Sequence, residues 1–172
     1  MFQVNDFIIY GNNGSCKVTD IRHEKDFNGN LREYYILQPV YLKTSTIMTP
    51  VDNTKVVMRV IMGEDEANNL ISSITDSEIP WVDNDKVRNK EYRDLSRTCD
   101  SENWIQLIRT LYVKKLEKIS DGKKLSQADE IIMQSVEKLL FGEIAISLQM
   151  ELDKVKELVI GKIEENMKVD KI

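Results

Sequence analysis

The side chains whose chemistry could be catalytic are few and scattered. His23 is the only histidine, Cys16 and Cys99 are the only cysteines, and no recognisable motif fixes an acid, thiol or hydroxyl beside the imidazole. One histidine and two cysteines without C-x-x-C spacing cannot supply the usual closed zinc set. An oxygen-only site would need carboxylates clustered at loop spacing, whereas Asp83 and Asp85 read as residues of an early helical turn. Gly11-Asn12-Asn13-Gly14 follows a strand but lacks the lysine and the following helix of a phosphate loop, so it reads as a hairpin turn. The expectation is a protein that is not an enzyme, with no cofactor and no metal, and with His23 exposed at a strand end.

A different chemistry, recognition of phosphate, is offered by Pro80-Trp81 and the residues after it. Lys86, Arg88, Lys90, Arg93 and Arg97 are opposed between Lys86 and Arg97 only by Glu91 and Asp94, a local excess of +3. At helical angles Lys86, Lys90, Arg93 and Arg97 recur at steps of four, three and four and form a basic stripe suited to phosphate oxygens. The same stripe also suits an ordinary solvated helix face. Trp81 has two readings as well: a tryptophan after proline packs an interdomain seam, or, exposed beside the stripe, wedges against an unstacked base step.

These residues must be carried by elements, and the pattern of the chain changes partway along. Phe7 to Tyr10, Ser15 to Ile21, Leu31 to Gln38, Thr44 to Thr49 and Val56 to Ile61 read as short strands. Turns at 11–14 and around Asn28-Gly29 separate the first three. Such a set predicts a small five-stranded barrel with at least one edge open to a partner strand. After Gly63, Glu64-Asp65-Glu66 favours a helix N-terminus, and Leu70, Ile71 and Ile74 follow at helical spacing. Thr75 to Pro80 is polar and closes on a proline, which marks a boundary.

Helices are then expected from about Val82 to Arg97, Ser101 to Ser120, beyond Ser126, and from about Leu152 to Met167. In the second of these Ile105, Ile108, Tyr112, Leu116 and Ile119 form an apolar stripe, and Asp121-Gly122 supplies the stop. Ser126-Gln127-Ala128-Asp129 has the form of a capping box, and Ile132, Val136, Leu139 and Leu140 follow as a buried face. The fold class is α+β, with residues 1–62 as the β-barrel, 63–80 as linking helix and linker, and 81–172 as an all-α helical bundle.

Composition limits the partners. The chain has 172 residues and a formal charge of −5, from 24 Lys+Arg against 29 Asp+Glu, so its overall field repels DNA and any contact must be local. Free duplex should bind weakly, because non-specific affinity comes mainly from neutralised phosphates. No signal-peptide pattern and no run near the ~20 apolar residues of a membrane span is found. A cytoplasmic monomer with reduced thiols is expected.

Up to about Met150 the sequence resembles the CarD family of bacterial transcription regulators. The resemblance is carried by Phe7-Ile8-Ile9-Tyr10-Gly11-Asn12-Asn13-Gly14, by Thr49-Pro50-Val51-Asp52-Asn53, and most specifically by Leu125-Ser126 through Phe141-Gly142-Glu143-Ile144-Ala145, with Pro80-Trp81 and the basic helix between them. It implies a Tudor-like barrel docking on the RNA polymerase β subunit, through Glu24, Thr46, Ile47, Met48, Thr49 and Pro50. It also implies a helical domain that meets promoter DNA at the upstream edge of the transcription bubble through Trp81, Lys86, Arg88, Lys90 and Arg93, and so stabilises or tunes the open complex. Gly11 and Asn13 depart from the proline and histidine common in the family's opening turn. Glu24 and Met48 stand where relatives often place arginines, so backbone pairing along Thr46 to Thr49 is the contact that survives these changes. The alternative is an adaptor that does not bind DNA, with Trp81 buried.

Overall fold

The computed structural model describes residues 1–42, 44–74 and 79–169. It divides into two compact units, Met1–Ile61 and Met62–Ile172. The polar segment expected at 75–80 lies mostly outside the described residues, at 75–78.

In the first unit, residues alternating between a buried and an open face build five antiparallel strands: β1 (Phe7–Tyr10), β2 (Ser15–Lys25), β3 (Leu31–Pro39), β4 (Ile47–Pro50) and β5 (Met58–Val60). Their order is β4-β3-β2-β1-β5. The expected barrel is therefore an open sheet: β4 and β5 are its two ends and do not pair with one another. Both end strands are short, four and three residues, and a ladder that ends so early leaves nothing to carry closure.

Ile8, Tyr10, Cys16, Val18, Tyr35 and Leu37 form one buried face, joined by Ile21, Ile47, Val56 and Met58. Val18 and Ile21 are three residues apart, which strict alternation would send to opposite faces. A bulge between Val18 and Asp20 restores the parity, and the displaced Thr19 hydroxyl donates to the Ile36 carbonyl at 3.0 Å.

The turn after β1 is a tight 3-10 turn, Gly11–Asn13. Gly11 has φ +47°, and a Cβ there would lie 2.8 Å from a Val56 methyl. Proline cannot adopt that φ, so the departure from the family's proline is a different backbone path rather than only a change of stiffness.

The second unit contains α1 (Glu64–Ser72), α2 (Asp85–Ser96), α3 (Ser101–Ser120), α4 (Gln127–Ser147) and α5 (Leu152–Val169). Helix α1 packs against α3, α4 and α5, so it belongs to the helical unit instead of acting as a free link. On α3, Ile105 and Ile108 are buried together with Trp104, Leu107 and Leu111, while Ile119 is 55% exposed: the apolar stripe leaves the core before the helix ends. On α4, Ile132, Val136, Leu139 and Leu140 are all buried.

Buried Glu143 accepts from the Met62 N–H at 2.9 Å and from the Ser101 hydroxyl at 3.1 Å, and the Ser147 hydroxyl donates to the Met62 carbonyl at 2.8 Å. The Phe141 to Ala145 stretch thus fastens the start of this unit to α4. A buried carboxylate is stable only when its oxygens are satisfied in this way.

Candidate functional site

The first candidate surface is the β4 edge. The Val51 N–H donates to the Glu33 carbonyl at 3.0 Å, and the register pairs Thr49 with Tyr35 and Met48 with Ile36. In an antiparallel ladder hydrogen-bonded pairs alternate, so Ile47 and Thr49 bond to β3 while Met48 and Pro50 direct their backbone groups outward. Pro50 occupies a position where its missing N–H costs nothing to the sheet, as edge prolines do. The Met48 side chain is 56% exposed and Thr49 is buried, its hydroxyl accepting from the Asn53 amide at 2.9 Å. Thr46 precedes the strand and is exposed. Glu24 is exposed but lies on β2 opposite Arg32 of β3, not on this edge; Arg32 itself pairs with Asp52 at 2.7 Å.

The second candidate surface surrounds Trp81. The backbone on both sides of the ring is pinned: the Thr110 hydroxyl bonds to both the N–H and the carbonyl of Ile79, the Tyr92 hydroxyl donates to the Pro80 carbonyl at 3.1 Å, and Arg88 Nη1 donates to the Val82 carbonyl at 2.6 Å. Burial pushes the Tyr92 phenol up to about 12, which keeps that donor protonated. Helix α2 starts at Asp85, three residues later than Val82, because the Asn84 side chain caps it by accepting from the N–H groups of Lys86 and Val87. The residues between Pro80 and Asn84 remain irregular, and Trp81 stands in them half-buried.

Three cations flank the indole. Arg88 lies over the ring with its guanidinium carbon 4.1 Å from the centroid, and the Lys114 and Lys118 ammonium groups of α3 are 5.7 and 5.9 Å from it. Tyr92 meets the ring edge-on, centroid to centroid 6.4 Å. Lys114 also pairs with Glu117 at 2.6 Å. Beyond Lys118 the α3–α4 turn exposes Lys123 and Lys124.

Arg88 is buried, in contrast to the phosphate contact implied by the resemblance. Its side chain is 2% exposed, Nε and Nη2 donate to the two Asp129 carboxylate oxygens at 3.0 and 2.7 Å, and Nη2 also reaches Asp85 at 2.7 Å. A guanidinium so engaged is not presented to DNA. Lys86, Lys90, Arg93 and Arg97 are exposed and, with Asn89 and Asp94, line one shallow groove along α2. They lie about 140–200° around the helix from Arg88, at ~100° per residue. The stripe and the indole are therefore on opposite sides of α2, and the cations that accompany Trp81 come from α3. Lys114, Lys115, Lys118, Lys123 and Lys124 against Glu117 and Asp121 make a local +3 in the sequence, the same excess as on α2, and that was the signal by which they could have been found.

The residues singled out for catalytic potential lie in separate places. Cys16 is in the sheet core, where burial pushes its thiol up to about 11; Cys99 is buried in the helical unit. His23 is exposed on β2, 3.8 Å from Glu33. Among the described residues no group of three or more His, Cys, Asp or Glu is disposed to hold a metal ion, and no helix is long and apolar enough to cross a membrane.

The described residues thus form an open five-stranded sheet and a helical unit that carries a cation-flanked tryptophan. Residues 2–62 match the model of the CarD-like/TRCF RID domain family. The match covers the first unit, in agreement with the resemblance, and supports a general role in interaction with RNA polymerase. No curated protein matches the chain.

Proposed function

We propose that the chain docks on the RNA polymerase β subunit through the β4 edge and uses Trp81 to stabilise promoter DNA at the upstream edge of the open bubble. The observation that carries the reading is the RNA polymerase-interaction domain match over residues 2–62, joined in one chain to a tryptophan flanked by cations. Docking proceeds by strand addition, with the outward backbone groups of Met48 and Pro50 pairing with a β-subunit strand. The DNA contact is made by the indole with Lys114 and Lys118 at its sides, and the groove of Lys86, Lys90, Arg93 and Arg97 is a second phosphate-compatible face. No reaction is catalysed, and the protein acts in the cytoplasm as a monomer.

The docking step is tested by binding of the full chain to an isolated β-subunit fragment. Met48→Pro removes one outward N–H while leaving the β3–β4 bonds intact, so it should weaken binding at least several-fold with an unchanged melting temperature. Undiminished binding by a folded Met48→Pro variant would rule out pairing along this edge.

A further inference from the structure

Arg88 is a buried and fully engaged cation of the helical unit, yet a buried ion pair is a weak source of stability, since well-packed apolar residues often do as well. Its geometry suggests another use. Each of its three guanidinium nitrogens donates a hydrogen bond, to Asp129, to Asp85 and to the Val82 carbonyl, and the group as a whole covers the indole at 4.1 Å. Asp129 is itself held: its N–H donates to the Ser126 hydroxyl at 3.2 Å, and that hydroxyl donates to the Asp129 carboxylate at 2.6 Å. The N-terminus of α4 is thereby linked through Asp129 and Arg88 to the ring of Trp81.

We propose that Arg88, locked by Asp129 and Asp85 together, is the positioning residue that sets the orientation of the Trp81 ring toward promoter DNA and makes no phosphate contact itself. The inference rests on the reading of Trp81 as the DNA-contacting residue. The role requires an arginine. Only a planar guanidinium can stack on the indole and also engage a carboxylate through two nitrogens, so a lysine keeps the charge but loses both functions.

The experiment compares full-length wild type, Arg88→Lys, Arg88→Gln, Asp85→Asn and Trp81→Ala, with two readouts. The first is acrylamide quenching of the Trp81 fluorescence in the free protein, obtained by subtracting the signal of a Trp81→Phe variant. The second is open-complex lifetime with polymerase on a promoter fragment, over a range of salt concentrations. Arg88→Lys and Arg88→Gln should both increase quenching and shorten the lifetime by about fivefold, the order of effect of losing one stacked cation. Neither should alter the salt dependence, whereas loss of a phosphate contact reduces the slope of log affinity against log salt by about 0.9.

Restoration of wild-type lifetime by Arg88→Lys, or a reduced slope with Arg88→Gln, overturns the proposal. If the Arg88 variants fail to fold, Asp85→Asn decides. It neutralises the exposed one of the two carboxylates that lock the guanidinium, so greater quenching with a shorter lifetime supports the proposal, and wild-type values for both overturn it. A Trp81→Ala variant without effect defeats the functional reading as a whole. A Trp81→Ala effect beside wild-type behaviour of the arginine variants defeats only the positioning role.

Discussion

Arg88 and Gly11 show how far a single residue's role follows from its type. The spacing of the basic residues already leaves Arg88 off the stripe of Lys86, Lys90, Arg93 and Arg97. Its partner could not be read in the same way, because Asp129 is 41 positions away and meets it only when α2 packs on α4. Gly11 is similar: a glycine in a turn is easily recognised, but the positive φ and the Val56 methyl 2.8 Å from a would-be Cβ come from the fold. Gly11→Ala should therefore destabilise the protein by about 1–3 kcal/mol, combining a left-handed conformation with overpacking. Denaturant unfolding would show this as a lower midpoint; a neutral effect would mean that the turn can rearrange at no cost.

At the scale of elements, the strongly patterned segments were legible, and only some of their ends were not. Helix α3 spans Ser101–Ser120 as its apolar period and the Asp121-Gly122 stop foretell. Gly122 has φ +70°, and the Lys123 N–H closes the turn on the Lys118 carbonyl at 2.7 Å. The start of α2 was misplaced because the cap at Asn84 outweighs the proline signal at Pro80. Closure of the sheet was misjudged because strand count alone does not show whether the end strands are long enough to meet. The side of α3 that faces Trp81 was hidden, since nothing in the spacing of Lys114 and Lys118 reveals which helix they approach. With these two lysines beside the indole, Lys114→Gln/Lys118→Gln should lower the salt slope of DNA binding in the polymerase complex more than Lys90→Gln/Arg93→Gln. The reverse ranking would move the DNA path to the α2 groove.

For the whole molecule, the formal charge of −5 gives no long-range attraction to DNA, so the proposed DNA contact requires delivery by a protein partner. The division into a sheet unit and a helical unit was legible from the change of period near Gly63. Titration acts on both units. Burial raises the Cys16 thiol from 9.0 to about 11 and the Tyr92 phenol from 10.0 to about 12, and burial with the Glu164 hydrogen bond raises Tyr112 from 10.0 to about 12. Between each pair of values the folded chain retains a proton that the unfolded chain has released, so stability must fall as pH rises. Thermal melting should be level just below pH 9 and decline progressively above it; a midpoint unchanged up to about pH 11 would contradict the burial of these groups.

The central claim is that polymerase docking and promoter stabilisation are carried by different parts of one chain, the second by Trp81. It is tested most directly by the lifetime of open complexes formed with saturating wild-type or Trp81→Ala protein, with β-fragment binding measured in parallel. Trp81→Ala should bind the fragment as wild type does while the open-complex lifetime returns toward that of polymerase alone. An unchanged lifetime, or loss of fragment binding together with the lifetime effect, would contradict it.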